Sequence, residues 1–215
     1  MKNTLVFATA NPNKVAEVQR QLGNAYTFRS LTDIGCTEPV PETTGTIAGN
    51  ARQKARYVFE NYGENCFSED TGLIVDALDG RPGVDTAHYA GPSRNARANN
   101  LKVLSELGNT GARTARFKTV ICLVLDGKEY NFEGICEGHI ATCPRGNDGF
   151  GYDPIFVPRE GNGYQTFAQM TTDEKARISH RGRAMQKLMA FLRHQQAGAP
   201  GAALATAKDE RTTAG

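Results

Sequence analysis

The sequence predicts an α/β domain, or two α/β lobes that share one sheet, and three observations carry that expectation. An apolar run, Leu5-Val6-Phe7-Ala8, breaks at the turn Thr9-Ala10-Asn11-Pro12-Asn13-Lys14 and feeds a helical pattern with Val15, Val18 and Leu22 on one face. A second helical pattern runs from Ile47 to Tyr62, with Ile47, Ala51, Ala55, Val58 and Tyr62 at helical spacing. The apolar stretch holding Phe117, Val120, Ile121, Leu123, Val124 and Leu125 meets Asp126-Gly127, a two-residue hairpin signal, and returns from Glu129 to about Thr142. So long a hairpin predicts a sheet that projects beyond the first lobe. The 215 residues allow a sizeable core.

The other elements follow in order. Tyr26-Thr27-Phe28-Arg29-Ser30-Leu31 reads as a strand, and a polar loop with prolines runs from Thr32 to Thr46. Cys66-Phe67-Ser68 reads as a short strand that ends at Glu69-Asp70-Thr71-Gly72, and Leu73-Ile74-Val75 as another. Ser93 is the expected N-cap of a helix carrying Leu101, Leu104 and Leu107. Thr171 and Glu174 form a capping box, and the last helix starts near Arg181 and buries Met185, Leu188, Met189 and Leu192. Residues 1–196 are thus expected to form the folded domain. Residues 197–215 are rich in Ala, Gly and Thr, bury too little apolar surface to offset ordering entropy, and read as a disordered tail.

Composition narrows the function. The chain is 39% apolar and 22% charged with a net charge of +2, and it holds no dense Lys/Arg block. That balance argues against a nucleic-acid partner and suits a small anionic ligand held by a few local cations. No apolar run reaches the length of a membrane span, and no signal-like leader precedes the first strand. Five cysteines, Cys36, Cys66, Cys122, Cys136 and Cys143, form no CxxC pair, which weakens disulfide and zinc readings and predicts a reducing cytoplasm.

Polar islands interrupt these elements. The opening turn leaves backbone N–H groups at a helix start and adds Lys14 and two Asn side chains, a combination that favours phosphate over the alternative of a solvated helix start. Asn50 and Lys54, four apart, share a helix face. Glu69 and Asp70 are costly to bring together without a cation, so with Glu42 they point to a Mg²⁺ site of hard oxygen ligands; a solvated acidic turn is the alternative. Gly149-Phe150-Gly151-Tyr152-Asp153-Pro154 sets an aromatic between two glycines, suited either to stacking on a flat base or to a turn with a core Phe. Lys175 and Ser179-His180-Arg181 supply donors able to prefer a purine 6-oxo group over a 6-amino group, or else cap a helix.

Together these islands resemble the inosine/xanthosine triphosphate pyrophosphatase family. The similarity covers about residues 4–195. It rests on the Thr-x-Asn-x-x-Lys turn, Glu69-Asp70-Thr71-Gly72, Gly149-Phe150-Gly151-Tyr152-Asp153-Pro154-Ile155-Phe156 and Ile178-Ser179-His180-Arg181-Gly182. The resemblance implies an elongated α/β fold in which a long twisted mixed sheet is flanked by helices in two lobes, with a nucleotide in the central cleft. It implies a homodimer and Mg²⁺-dependent cleavage of ITP, dITP or XTP to a monophosphate and pyrophosphate. It assigns Thr9, Ala10, Asn11, Pro12, Asn13, Lys14 and Lys54 to the triphosphate. Asp70 becomes general base and metal ligand, with Glu42 and Glu69 assisting the metal. Thr71 would touch the substrate, and Phe150 would stack on the base. Asp153, Lys175, His180 and Arg181 would line the base end, and Gly151 and Tyr152 would belong to the substrate contacts. The chain departs from the family pattern at Glu69, where bacterial members commonly carry Asp, and at His88, where relatives often carry Arg. Two rival functions are a nucleotide-binding regulatory module without hydrolysis and a related pyrophosphatase acting on other nucleotides.

Overall fold

The computed structural model describes residues 3–9, Lys14, Val18 and residues 26–196. The expected first helix, apart from Lys14 and Val18, lies outside the described residues, as do Ala10, Asn11, Pro12, Asn13 and the tail. The strands are β1 (Asn3–Phe7), β2 (Tyr26–Arg29), β3 (Cys66–Val75), β4 (Pro82–Gly83), β5 (Thr114–Leu125), β6 (Lys128–Ile140) and β7 (Phe156–Pro158). Among the described residues the helices are α1 (Ile47–Tyr62), α2 (Ala96–Leu107), α3 (Thr172–Ile178) and α4 (His180–Gln196).

The strands form one seven-stranded mixed sheet in the order β2-β1-β3-β5-β6-β7, with β4 paired to β3. β1 runs parallel to β2 and β3, and the other pairings are antiparallel. Asp126 and Gly127 both take positive φ, 50° and 77°, as the turn between β5 and β6 requires. Helix α1 begins where Thr46 Oγ1 accepts from Gly49 N at 3.0 Å and ends at Gly63 in the left-handed region. The capping box of α3 is present, with Thr171 and Glu174 satisfying each other's backbone donors.

Side chains alternate across the sheet, so each face packs on its own helix. Phe67, Ile121, Leu123 and Phe132 pack with Ala184, Met185, Leu188 and Leu192 of α4. Cys66, Val120, Cys122 and Val124 pack with Ala51, Ala55 and Val58 of α1. A third cluster joins Leu73, Phe117, Ile140, Phe156 and Phe167 to Val103 and Leu107 of α2.

Three local expectations change. The Glu69-Asp70-Thr71-Gly72 stretch does not end a strand. It lies inside the continuous β3, paired to β5 through Glu69↔Ile121 and Asp70↔Val120, because the long hairpin supplies a full ladder that a polar sequence alone does not reveal. Helix α2 is capped by Asn95 rather than Ser93. Its Leu101 is 51% exposed, while Asn99, Asn100 and Val103 are buried.

The sheet also has a gap that positions the site. β1 pairs with β3 at Cys66 and Phe67, and β4 pairs with it at Leu73 and Ile74. Between these, residues 68–72 are laddered to β5 alone among the described residues. A strand edge left open where β1 ends, with helices on both faces, is the place where a sheet of this kind admits a ligand.

Gly134 sets how closely α4 approaches. A Cβ there would lie 2.0 Å from the His180 carbonyl oxygen and 2.6 Å from Ala184 N, both backbone atoms. Gly134→Ala is therefore expected to destabilise the fold by about 1–3 kcal/mol. Thermal unfolding should show a midpoint lowered by roughly 2–4 °C per kcal/mol; an unchanged midpoint would mean that α4 shifts without cost.

Candidate active site

The middle of β3 supplies two neighbouring carboxylates, and the pleat sends them to opposite faces. Glu69 follows Phe67 onto the α4 side, where it is 1% exposed. Both of its oxygens accept from Arg181 Nε at 2.9 Å, and Lys14 Nζ lies 3.2 Å from Oε1. Burial works to raise the Glu69 pKa, but the charges of Arg181 and Lys14 overcome it and hold the carboxyl below the ordinary glutamate range.

Asp70 follows Ser68 onto the α1 side, where the Ser68 hydroxyl donates to the Ala51 carbonyl. Asn50 Nδ2 donates to Asp70 Oδ2 at 3.4 Å, and Lys54 Nζ lies 3.5 Å from Oδ1. The Asn50 amide is oriented from behind, since Thr44 N and Oγ1 donate to its oxygen at 3.1 and 3.0 Å. Lys54 also donates to Glu42 Oε1 at 2.5 Å and to the Glu69 backbone carbonyl at 2.9 Å. Burial raises the Asp70 pKa above the ordinary aspartate value; Lys54 and Lys14 oppose this and Glu42 reinforces it. Glu42 shifts the other way: burial would raise it, but Lys54 prevails and holds it down.

The far end of the site is built by the loop before β7 and by the α3–α4 junction. Asp153 Oδ2 accepts from Lys175 Nζ at 2.6 Å and from Phe150 N at 2.8 Å, so one carboxylate fixes both the loop and α3. The Phe150 ring centroid lies 4.9 Å from Lys175 Nζ and 5.3 Å from Arg181 Cζ. His180 is buried and stacks on Phe117 at 4.4 Å between centroids. Burial first, and then the charges of Arg181, Lys175 and Lys14, push its pKa well below the ordinary histidine value, so the ring is neutral. Its Nδ1 is buried with no hydrogen-bond partner.

The predicted residues thus fall into linked groups. Glu42, Lys54 and Asp70 form one; Lys14, Glu69 and Arg181 a second; Phe150, Asp153, Lys175 and Arg181 a third. Thr71 Oγ1 lies 2.7 Å from Thr119 Oγ1 on β5, and Thr9 is half-buried just past β1. Gly151 is half-buried beside Phe150.

Two expectations are revised by this geometry. Glu69 does not stand beside Asp70 as a second arm around one cation: its carboxylate is on the other face and bound to Arg181 and Lys14. Tyr152 keeps its side chain away from the substrate contacts expected of it: it is buried, and its hydroxyl donates to the Thr86 carbonyl at 2.8 Å, which anchors the loop from within. Asn100, which the sequence reading passed over, donates to the Gly151 carbonyl at 3.2 Å. Its signal was the pair Asn99-Asn100 inside a helical pattern, since two amides there are kept only where they bond something.

Among the described residues no group of three or more His, Cys, Asp or Glu side chains converges as a metal cage. Glu42 and Asp70, however, meet around the same Lys54 ammonium. Two carboxylates around one positive charge make a donor set that fits Mg²⁺, which usually takes one or two protein carboxylates and completes its shell with water and phosphate oxygens.

The chain matches the model of the Ham1 family over residues 5–191. A dITP/XTP pyrophosphatase of Flavobacterium psychrophilum is 51% identical over 191 residues, covering 88% of this chain and 99% of that protein. A dITP/XTP pyrophosphatase of Bacillus subtilis is 44% identical over 191 residues, covering 87% of this chain and 96% of that protein. The structure of the Staphylococcus aureus Ham1 protein superposes with a TM-score of 0.83 at 34% identity, covering 90% of this chain and 100% of that one. With sequence and fold in agreement, the chain belongs to the Ham1 family.

Proposed function

We propose that this chain hydrolyses the deaminated purine nucleoside triphosphates dITP, ITP and XTP to the monophosphate and pyrophosphate. The observation that carries the reading is the chain of contacts that joins the site's groups. A buried carboxylate of raised pKa, Asp70, stands beside Lys54, and Arg181 links the Glu69–Lys14 pair to the ring of Phe150. The relatives' names, dITP/XTP pyrophosphatase, support it.

In this reading water attacks the α-phosphorus, the new oxygen–phosphorus bond forms, and the bond from that phosphorus to the α,β-bridging oxygen breaks. Asp70 takes the proton from the water. A carboxylate whose pKa is raised by burial is a better base than a solvated one. Lys14 and Lys54 offset the charge that builds on the phosphates. Glu42 and Asp70 would hold a magnesium ion, which when bound screens the phosphate oxygens. Glu69 is left out of that set because its oxygens serve two cations.

At the other end Phe150 stacks on the base, and Arg181 with the neutral His180 presents donors to a 6-oxo group. A 6-amino group meets donors with a donor, and such a mismatch is how sites reach discrimination of order 10⁴. A regulatory module that only binds nucleotide gains nothing from a carboxylate tuned as a base, which favours the enzyme. We place the enzyme in the cytoplasm, consistent with four buried free thiols and with no described helix being long and apolar enough to cross a membrane. A homodimer is the expected assembly, on the family resemblance alone.

Two outcomes test the mechanism. Asp70→Asn should cut pyrophosphate release from ITP by about 10²–10⁴-fold while ITP still binds; full activity removes Asp70 from the mechanism. The ionised carboxylate is the active form, so kcat/KM should fall as pH drops through the raised Asp70 pKa. Lys54→Met removes a charge that holds that pKa down, so the acid limb should move to higher pH. A limb that stays put belongs to another group.

A further inference from the structure

Glu69 is bonded to three cations that serve different parts of the site. Its backbone carbonyl takes Lys54 Nζ at 2.9 Å, and its carboxylate takes Arg181 Nε at 2.9 Å and Lys14 Nζ at 3.2 Å. The carboxylate side chain is fully buried, Arg181 is buried with it, and the Lys14 side chain is 14% exposed. The strand beneath is paired to β5 before and after this residue, through Ser68↔Cys122 and Asp70↔Val120, which fixes the backbone that carries the carboxylate.

We propose that Glu69 is a positioning residue that couples base recognition to phosphate engagement, because one buried carboxylate holds both the base-facing Arg181 and the phosphate-facing Lys14. The coupling rests on the function proposed above. The two cations share oxygen Oε1. Because the carboxylate is fully buried and the two cations share one of its oxygens, a displacement of either cation changes how strongly the other is held. Arg181 also lies, with Lys175, over Phe150, the ring expected to stack on the base. A 6-oxo base that draws on the guanidinium leaves more of Oε1 to Lys14. A 6-amino base does not, and Lys14 stays shared. Selectivity is then expressed in the positioning of the triphosphate as well as in contact with the base.

The test is the ratio of kcat/KM for ITP over ATP in the full chain, with kcat and KM resolved for each nucleotide. Lys14 faces phosphates that ITP and ATP have in common, so in an uncoupled site Lys14→Gln weakens both equally. In the coupled site Lys14→Gln lowers the ITP:ATP ratio by about 5-fold or more, the lower bound of ordinary coupling between sites. Glu69→Gln should lower the ratio too, and Lys14→Gln added to it should then weaken both nucleotides by the same factor. Glu69→Asp, which keeps the charge, should restore part of the ratio. Should Glu69→Gln fail to fold, Lys14→Gln alone decides, since its side chain is partly exposed. Equal losses on ITP and ATP in folded Lys14→Gln overturn the coupling and leave the hydrolase intact. Absence of pyrophosphate from ITP with the unaltered chain overturns both.

Discussion

The pleat of a strand allows two adjacent carboxylates no common side, and the site is arranged around that constraint. Because β3 stays extended through Glu69 and Asp70, one acid enters the layer beneath α4 and the other the layer beneath α1. A buried carboxylate is tolerated only when paired and hydrogen-bonded. Glu69 meets that demand with Arg181 and Lys14 and is held ionised. Asp70 has the Thr71 backbone N–H and longer contacts with Asn50 at 3.4 Å and Lys54 at 3.5 Å, and burial raises its pKa. Neighbours in sequence are thereby given opposite electrostatic characters, one a counter-ion of lowered pKa and the other a carboxyl of raised pKa.

The rest of the fold serves to place partners for these two groups. The apolar faces of α1 and α4 are tied to the sheet by Ala51, Ala55 and Val58 on one side and Met185, Leu188 and Leu192 on the other. Those anchors fix where Lys54 and Arg181 emerge. Gly134 lets the first turn of α4 lie directly on β6, which brings His180 onto Phe117 and Arg181 onto Glu69. From the far side, Asp153 and Lys175 clamp the loop that carries Phe150, while Tyr152 and Asn100 hold it from beneath.

Features set by local chemistry were legible in the sequence. The span of α1, the Asp126-Gly127 hairpin, the Thr171–Glu174 box and the buried stripe of α4 follow from spacing, turn geometry and caps a few residues long. The groups that meet in the structure, Glu42 with Lys54 and Asp70 and Glu69 with Lys14 and Arg181, were visible as polar islands. What the sequence hid were consequences of distant pairing. A run of Glu, Asp, Thr and Gly looks like a turn until β5, some fifty residues on, supplies its ladder and two cations neutralise its first acid. Leu101 fits an apolar stripe on paper, but α2 is rotated to bury Asn99 and Asn100, whose amides hold the Ala87 and Gly151 carbonyls. Tyr152 sits within the glycine-flanked motif and yet points into the core for the same kind of reason, a partner at Thr86 that only the fold brings near.

The division of labour between Glu69 and Asp70 is the central claim, and one structure tests it most directly: a crystal of the Asp70→Asn chain with ITP and Mg²⁺. The expected density shows the metal beside Glu42 and residue 70, the α-phosphate facing residue 70, and Glu69 still bonded to Arg181 and Lys14. A metal ion coordinated by the Glu69 carboxylate, with Arg181 released, would contradict it.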